Sequence, residues 1–302
     1  MSWSLVCLLL GSLAATAGAQ TPAPVRPPDE RGAQVDDVLR LSHLKTYLAS
    51  LRTRLLASLD ADRMNGEIRQ WMAAGLKRAY SSEAYLRAIK QALLDGYDAD
   101  GIDRTRTWYR SPAGRKIARL EEAALQPGQG PAKMRYLAGL EDRQPSDYRL
   151  VLLFSVDEGA HTSAGAVAAF QSTARGLGQG IDQLGSGAER PDVRQLADAL
   201  RKYGTDARDD IADEVLRDLM YAYREATDAD LRAYAEFLES DAGRWFVRTV
   251  ARAHQGYFEG TVEQIAEDFA DAATRAPAAA RPAPDSRPPE RGAPSPSLPP
   301  RR

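Results

Sequence analysis

The sequence predicts an all-α protein: two tandem helical repeats forming a helical bundle, with a disordered Pro-rich C-terminal tail. Three observations carry this. No segment sustains period-two alternation with β-branched enrichment, the pattern of a half-buried strand. Apolar residues return instead at helical spacings, which aligns them on one face. Finally, Trp108-Tyr109-Arg110-Ser111-Pro112-Ala113-Gly114-Arg115-Lys116-Ile117 recurs as Phe237-Leu238-Glu239-Ser240-Asp241-Ala242-Gly243-Arg244-Trp245-Phe246. Both stretches read as an aromatic, then Ser-X-Ala-Gly-Arg, then an apolar residue.

The N-terminus reads as a secretory signal over 1–19. A short apolar region follows Ser4 and contains Cys7, and Ala17-Gly18-Ala19 supplies the small-X-small pattern before a cleavage after Ala19. The region before the apolar run lacks Lys and Arg, a departure from the usual pattern. Cys7 is the only cysteine of the 302 residues, so a processed chain would have no disulfide, thiol nucleophile or Cys-ligated metal. No later apolar run approaches the roughly 18 residues a membrane helix needs. The expected location is therefore periplasmic or secreted, with no transmembrane anchor after cleavage.

Hydrophobic residues make up 43% and charged residues 27%, within the globular range, and the formal net charge is -2. That balance argues against general nucleic-acid binding, which needs a basic face. Arginine far outnumbers lysine and scatters along every predicted helix, which fits codon bias better than a dedicated anion site.

Residues 20–32 hold Pro22, Pro24, Pro27 and Pro28 and read as a disordered lead-in. Repeat 1 is assigned to 33–126. Its first helix is predicted from Val35 to Leu59, and a second carries Met64, Ile68, Trp71 and Leu76 on one face. Ser81-Ser82-Glu83 starts a third, with Leu86, Ile89 and Leu93 inward. Asp98 or Asp100 caps the next, which runs through Ile102, Thr105 and Tyr109. At the repeated stretch one helix ends and another begins. Ser111 is a good N-cap, and Pro112 suits the first helical position. Gly114, a poor helix former, lets another backbone approach.

The Pro/Gly segment 126–131 separates the repeats, and repeat 2 is assigned to 132–272. A short helix with Met134, Leu137 and Leu140 leads to a long one over 147–174, with Tyr148, Leu152 and Val156 as its apolar positions. Gly176 to Gly187 is irregular and glycine-rich. Helices with Leu196 and Leu200, then Ile211, Val215 and Leu219, follow. Thr227-Asp228-Ala229-Asp230 starts the helix that leads into the second corner, and Ser240 and Asp241 begin a long final helix. The tail, 273–302, is Pro, Ala and Arg with little to bury.

With Trp108 aligned on Phe237, Ile102 falls on Leu231 and Ile117 on Phe246, an internal repeat. At these residues the chain resembles the bacterial exported family catalogued as domain of unknown function 2059, apparently in two copies of its C-terminal motif. In that family an acidic helix start leads to an amphipathic stretch, then Ser/Thr-Pro-X-Gly and a basic residue. Asp100 to Lys116 and Asp228 to Arg244 look like that pattern, the second with Asp241 in place of proline. The resemblance implies an exported helical protein and brings no activity and no catalytic residue.

No catalytic, cofactor-binding or metal-ligating residue is assigned, and no cofactor is expected. Glu158-X-X-His161 has the spacing of one half of a di-metal carboxylate site, without a second Glu-X-X-His. Gly185-Ser186-Gly187 is no nucleophile elbow. Asp157 and Glu158 point to different helix faces, and Asp209, Asp210, Asp213 and Glu214 read as a solvated face. Arg115 and Arg244 stand at equivalent places, either contacting anions or pairing with an acid of the opposite half; the second reading is preferred.

The lack of a coherent catalytic set weighs against an enzyme. The expectation is a non-enzymatic structural or protein-interaction component of the bacterial envelope, whose tail could meet another envelope protein or an anionic wall polymer. The alternative is a periplasmic hydrolase acting on cell-wall glycan or peptide through carboxylates.

Overall fold

Side-chain caps begin the helices where the sequence places them. A computed structural model of the protein describes residues 28–46, 48, 73, 74, 77, 81–126, 128–168, 171 and 208–275. Helix α1 is Pro28–Leu41. Helix α2, Ser82–Asp95, starts where Ser81 accepts from the Ala84 N–H. Helix α3, Ala99–Arg110, starts at Asp98, which accepts from the Asp100 N–H. Helix α4 is Pro112–Ala124, with Ser111 as its cap and Pro112 in the first turn. Helix α5, Gln129–Ala138, follows left-handed Gly128 (φ 85°). Helix α6 is Asp147–Ala160, capped by Ser146. Helices α7, Arg208–Ala222, α8, Asp228–Glu239, and α9, Asp241–Arg275, complete the order. A reciprocal Thr227–Asp230 capping box starts α8. Among the described residues there is no strand, and the fold is all-α.

Three boundaries differ from the sequence reading. The expected disordered lead-in is helical from Pro28, because proline is well accommodated in a first helical turn. The first predicted helix stops at Leu41, and the helix predicted over 147–174 stops at Ala160. At each break stands a histidine with left-handed backbone, His43 at φ 53° and His161 at φ 54°. Each turns the chain without a glycine or proline to announce it. The last helix extends to Arg275, past the predicted start of the tail. The signal, the second predicted helix, the glycine-rich segment, the helix of Leu196 and Leu200, and the tail beyond 275 lie outside the described residues, apart from three helical positions among 73–77.

The halves interlock. Helix α9 packs on α2 and α3 of the first half, and α8 packs on α4. Within the halves, α1 packs on α2 and α3, α3 on α4, α7 on α6, and α8 on α6 and α9. Helix α7 also meets α4 and the connecting helix α5. Exchanging α1 with α6, α2 with α7, α3 with α8 and α4 with α9 maps this list of packed pairs onto itself; only the α5 contact lacks a counterpart. The burial pattern follows. Ile89 and Leu93 on α2 match Val215 and Leu219 on α7, and Ile102 and Ile117 match Leu231 and Phe246. A single cluster runs from Val35 through Ile117 to Val250, so 33–126 and 132–272 share one core.

Candidate functional site

The two corners are built on the same cap and the same close glycine approach. Ser111 Oγ accepts from the Gly114 N–H at 3.0 Å, and Ser240 Oγ from the Gly243 N–H at 3.1 Å. A Cβ on Gly114 would stand 2.1 Å from the Trp108 carbonyl oxygen, and one on Gly243 would stand 2.0 Å from that of Phe237. The close backbone approach expected of these glycines is thus made by the preceding helix. Arg115 donates to the Arg110 carbonyl and Arg244 to the Glu239 carbonyl, so each guanidinium caps the helix just left. Arg244 also meets Asp241 at 2.6 Å. The ion pair expected with an acid of the opposite half is not what these arginines make, because carbonyls orphaned at the corner are nearer.

The corners meet face to face. Trp108 stacks on Phe237 at 5.0 Å and on Tyr234 at 5.8 Å, and Tyr109 approaches Phe237 and Phe246 edge-on at 6.1 and 6.0 Å. Residues aligned between the copies thus touch one another. Gly101 admits the Trp245 indole, whose Nε1 donates to the Gly96 carbonyl at 2.9 Å. Farther along α9, Tyr257 stacks on Tyr85 at 4.6 Å and binds both backbone groups of Ser81.

Polar locks hold the same interface. Glu121 on α4 accepts from the Tyr223 hydroxyl at 2.7 Å and the Tyr234 hydroxyl at 3.1 Å. Burial raises the Glu121 pKa above the usual carboxylate range, against the opposing pull of the two tyrosines and His43. The same burial, with the neighbouring carboxylate, pushes both tyrosines well up. Beside it, His43 Nδ1 lies 2.7 Å from Glu122. Lys116 reaches Asp230 at 2.6 Å, tying α4 to the start of α8. Its amine and the capping box hold the Asp230 pKa down against the cost of burial. Arg149 on α6 binds Asp228 at 2.7 Å and the Tyr223 and Ala226 carbonyls at 2.7 and 3.0 Å. It thereby ties the α7–α8 turn together. Lys133 on α5 turns inward to Glu214, at 2.7 Å, and to Asp218.

His254 on α9 is the odd group. It is 1% exposed, and neither ring nitrogen has a hydrogen-bond partner. Tyr85 and Phe258 flank it. Burial lowers its pKa to about 3.

The residues weighed from sequence fall elsewhere. Glu158 is exposed, and His161 serves as the left-handed end of α6. Asp157 accepts from the N–H and hydroxyl of Ser163. Asp209, Asp210 and Asp213 are exposed as expected, whereas Glu214 pairs with Lys133. Met134, an apolar residue of the short helix, is 66% exposed, and α5 turns Lys133 inward instead. Among the described residues no group of three or more His, Cys, Asp or Glu is placed to hold a metal. Nor is any described helix long and apolar enough to cross a membrane. The Glu121–Tyr223–Tyr234 cluster escaped the sequence reading; its one signal was two tyrosines on the inner face flanking Thr227.

Comparison with known proteins gives one match. No curated protein and no solved structure matches the chain. The model of a family described as an uncharacterised protein conserved in bacteria, domain of unknown function 2059, matches residues 86–142. That span holds most of α2, the first corner and α5, and the second corner lies beyond it. Residues 86–142 are thus similar to the bacterial family of unknown function 2059.

Proposed function

We propose that this protein is a non-enzymatic structural or interaction component of the bacterial envelope, exported by a signal peptide cleaved after Ala19. One observation carries the reading: the conspicuous polar side chains at the junction of the halves are used up within the chain. Glu121 is held by two tyrosines, Lys116 by Asp230, and Arg149 by Asp228 and two carbonyls. The corner arginines cap helices. Groups so engaged build a rigid scaffold, and a catalytic set needs groups free to meet a substrate. The duplicated corner is on this reading a second copy of the family motif.

The test is affinity capture from a periplasmic extract, with and without residues 276–302, together with a wall-fragment release assay on the purified chain. Recovery of a specific partner by either form supports the proposal, and loss of it on deletion assigns the contact to the tail. Failure of both forms to recover one, with release of wall fragments that Glu121→Gln abolishes, overturns it in favour of carboxylate hydrolysis.

A further inference from the structure

Helix α6 carries an apolar ridge on its outer side: Tyr148 is 45% exposed, Val151 58% and Phe154 53%. Their spacing of three lines them along one face, while Leu152, Leu153 and Val156 point into the core. The matching helix α1, aligned by His43 on His161, has Glu30, Ala33 and Asp36 at the corresponding positions, all exposed. The duplicated architecture therefore tolerates a polar outer face here, and α6 departs from it. A contiguous exposed apolar ridge of this kind marks a contact surface.

Acids border the ridge at both ends. Asp147 precedes Tyr148, Glu158 follows Phe154 by one turn, and both are exposed. Helix α8 runs beside the ridge: Arg149 near the start of α6 binds Asp228 at the start of α8, and Gly159 near its end lies against Leu238. The exposed charged side chains of α8 are Arg232, Glu236 and Glu239. Arg232 donates to the Tyr148 hydroxyl at 2.9 Å and stands in the field of Asp228 and Glu236, so its charge is answered within the chain. The border offered to an occupant is acidic. What covers the ridge needs apolar groups for its crest and positive charge for its edge.

The chain's own last residues supply both. Pro296-Ser297-Leu298-Pro299-Pro300-Arg301-Arg302 is a basic Pro-X-X-Pro segment, a type that favours a polyproline helix and lays its prolines on exposed aromatic rings. Prolines three apart stand about 9 Å apart in that helix. Tyr148 and Phe154, six positions apart on α6, are separated by about 9 Å of helical rise. The tail is also long enough. Helix α9 begins just past Leu238, which lies against the end of α6, and its 35 residues run about 52 Å. The chain from Arg275 to Pro299 spans about 74 Å as a polyproline helix, enough to return to the ridge.

We propose that residues 296–302 dock on the α6 ridge of their own chain. Pro296 lies on Tyr148 and Pro299 on Phe154, and Arg301 and Arg302 meet Glu158, Glu236 and Glu239. The contact covers the apolar face, and any other partner of the ridge must first displace the tail. It does not rest on the envelope reading: loss of the captured partner there leaves this contact standing, and loss of this contact leaves that reading standing.

Disulfide trapping in the full chain, in a Cys7→Ser background, tests it. Val151→Cys is paired with Ser297→Cys, and the control pairs Ala33→Cys, on the polar counterpart face, with the same Ser297→Cys. All the sites in the folded part are exposed, so the variants keep the wild-type melting temperature. The expected result is an intrachain disulfide at Val151→Cys that forms at least tenfold faster than at Ala33→Cys, at a rate unchanged by dilution. Adding Arg301→Glu and Arg302→Glu removes that advantage. Equal rates at the two sites, or an advantage indifferent to the charge reversal, overturns the proposal. A disulfide that forms between chains, faster as concentration rises, also overturns it and gives the ridge to the tail of a second copy.

Discussion

At the residue scale, buried His254 and half-buried Glu121 set how the fold responds to pH, in opposite directions. The unfolded chain protonates His254 below its ordinary value of 6.5, while the folded chain holds it neutral down to about 3. Its contribution to stability is complete above 6.5 and falls away as pH drops toward 3. Removing an unsatisfied buried imidazole also removes its desolvation cost, so His254→Leu should stabilise the fold by about 1–3 kcal/mol near neutrality. It should also flatten the acid side of a plot of melting temperature against pH. Glu121 works the other way. Its raised pKa means that the folded state keeps a proton the unfolded state has lost, so stability declines as pH rises through the raised value. Glu121→Gln keeps an acceptor for Tyr223 and Tyr234, and melting curves should show that decline abolished. An unchanged pH profile in either variant contradicts the burial assigned to that residue. Neither role was legible in the sequence, where His254 sits among helical apolar positions and the tyrosines that hold Glu121 lie far along the chain. Ser111 and Ser240, by contrast, were legible, because a cap is a local matter of a hydroxyl and the next turn.

At the scale of single elements, the chain breaks two of its helices with histidine. His43 and His161 stand after α1 and α6 with φ of 53° and 54°, a region that costs a residue with a Cβ roughly 1 kcal/mol and suits glycine. His43 has a use for its ring in Glu122. At His161 the backbone requirement dominates, so His161→Gly should raise stability by about 0.5–1 kcal/mol in denaturant unfolding. A loss instead would show that the imidazole packs usefully. These breaks explain why helix periodicity overran at both places: nothing in spacing or composition separates a left-handed histidine from a helical one. The orientation of helix α5 has a different cause. Its apolar Met134 faces outward, because a buried Lys133 with two carboxylates of α7 turns the helix the other way. Such a long-range ion pair leaves no local trace.

On the scale of the whole molecule, the duplicated corner was the most informative thing in the sequence, and the structure gives it a mechanical meaning. Each corner sets a helix against its successor so closely that glycine is required, and the two are joined through Trp108, Phe237 and Tyr234. Repetition was visible because it is written in residue types. Interlocking was not, since no local pattern says that α9 crosses to α2 and α3 while α8 packs on α4. The central claim is that the halves fold as one unit through these corners. Gly243→Ala puts a Cβ against the Phe237 carbonyl and should cost at least about 2 kcal/mol. Native-state hydrogen exchange on that variant is the most direct test. Interlocked halves predict an equal loss of protection in the slowest amides of α2 and α3 and of α8 and α9. Loss confined to α8 and α9, with α2 and α3 at wild-type protection, would contradict the account.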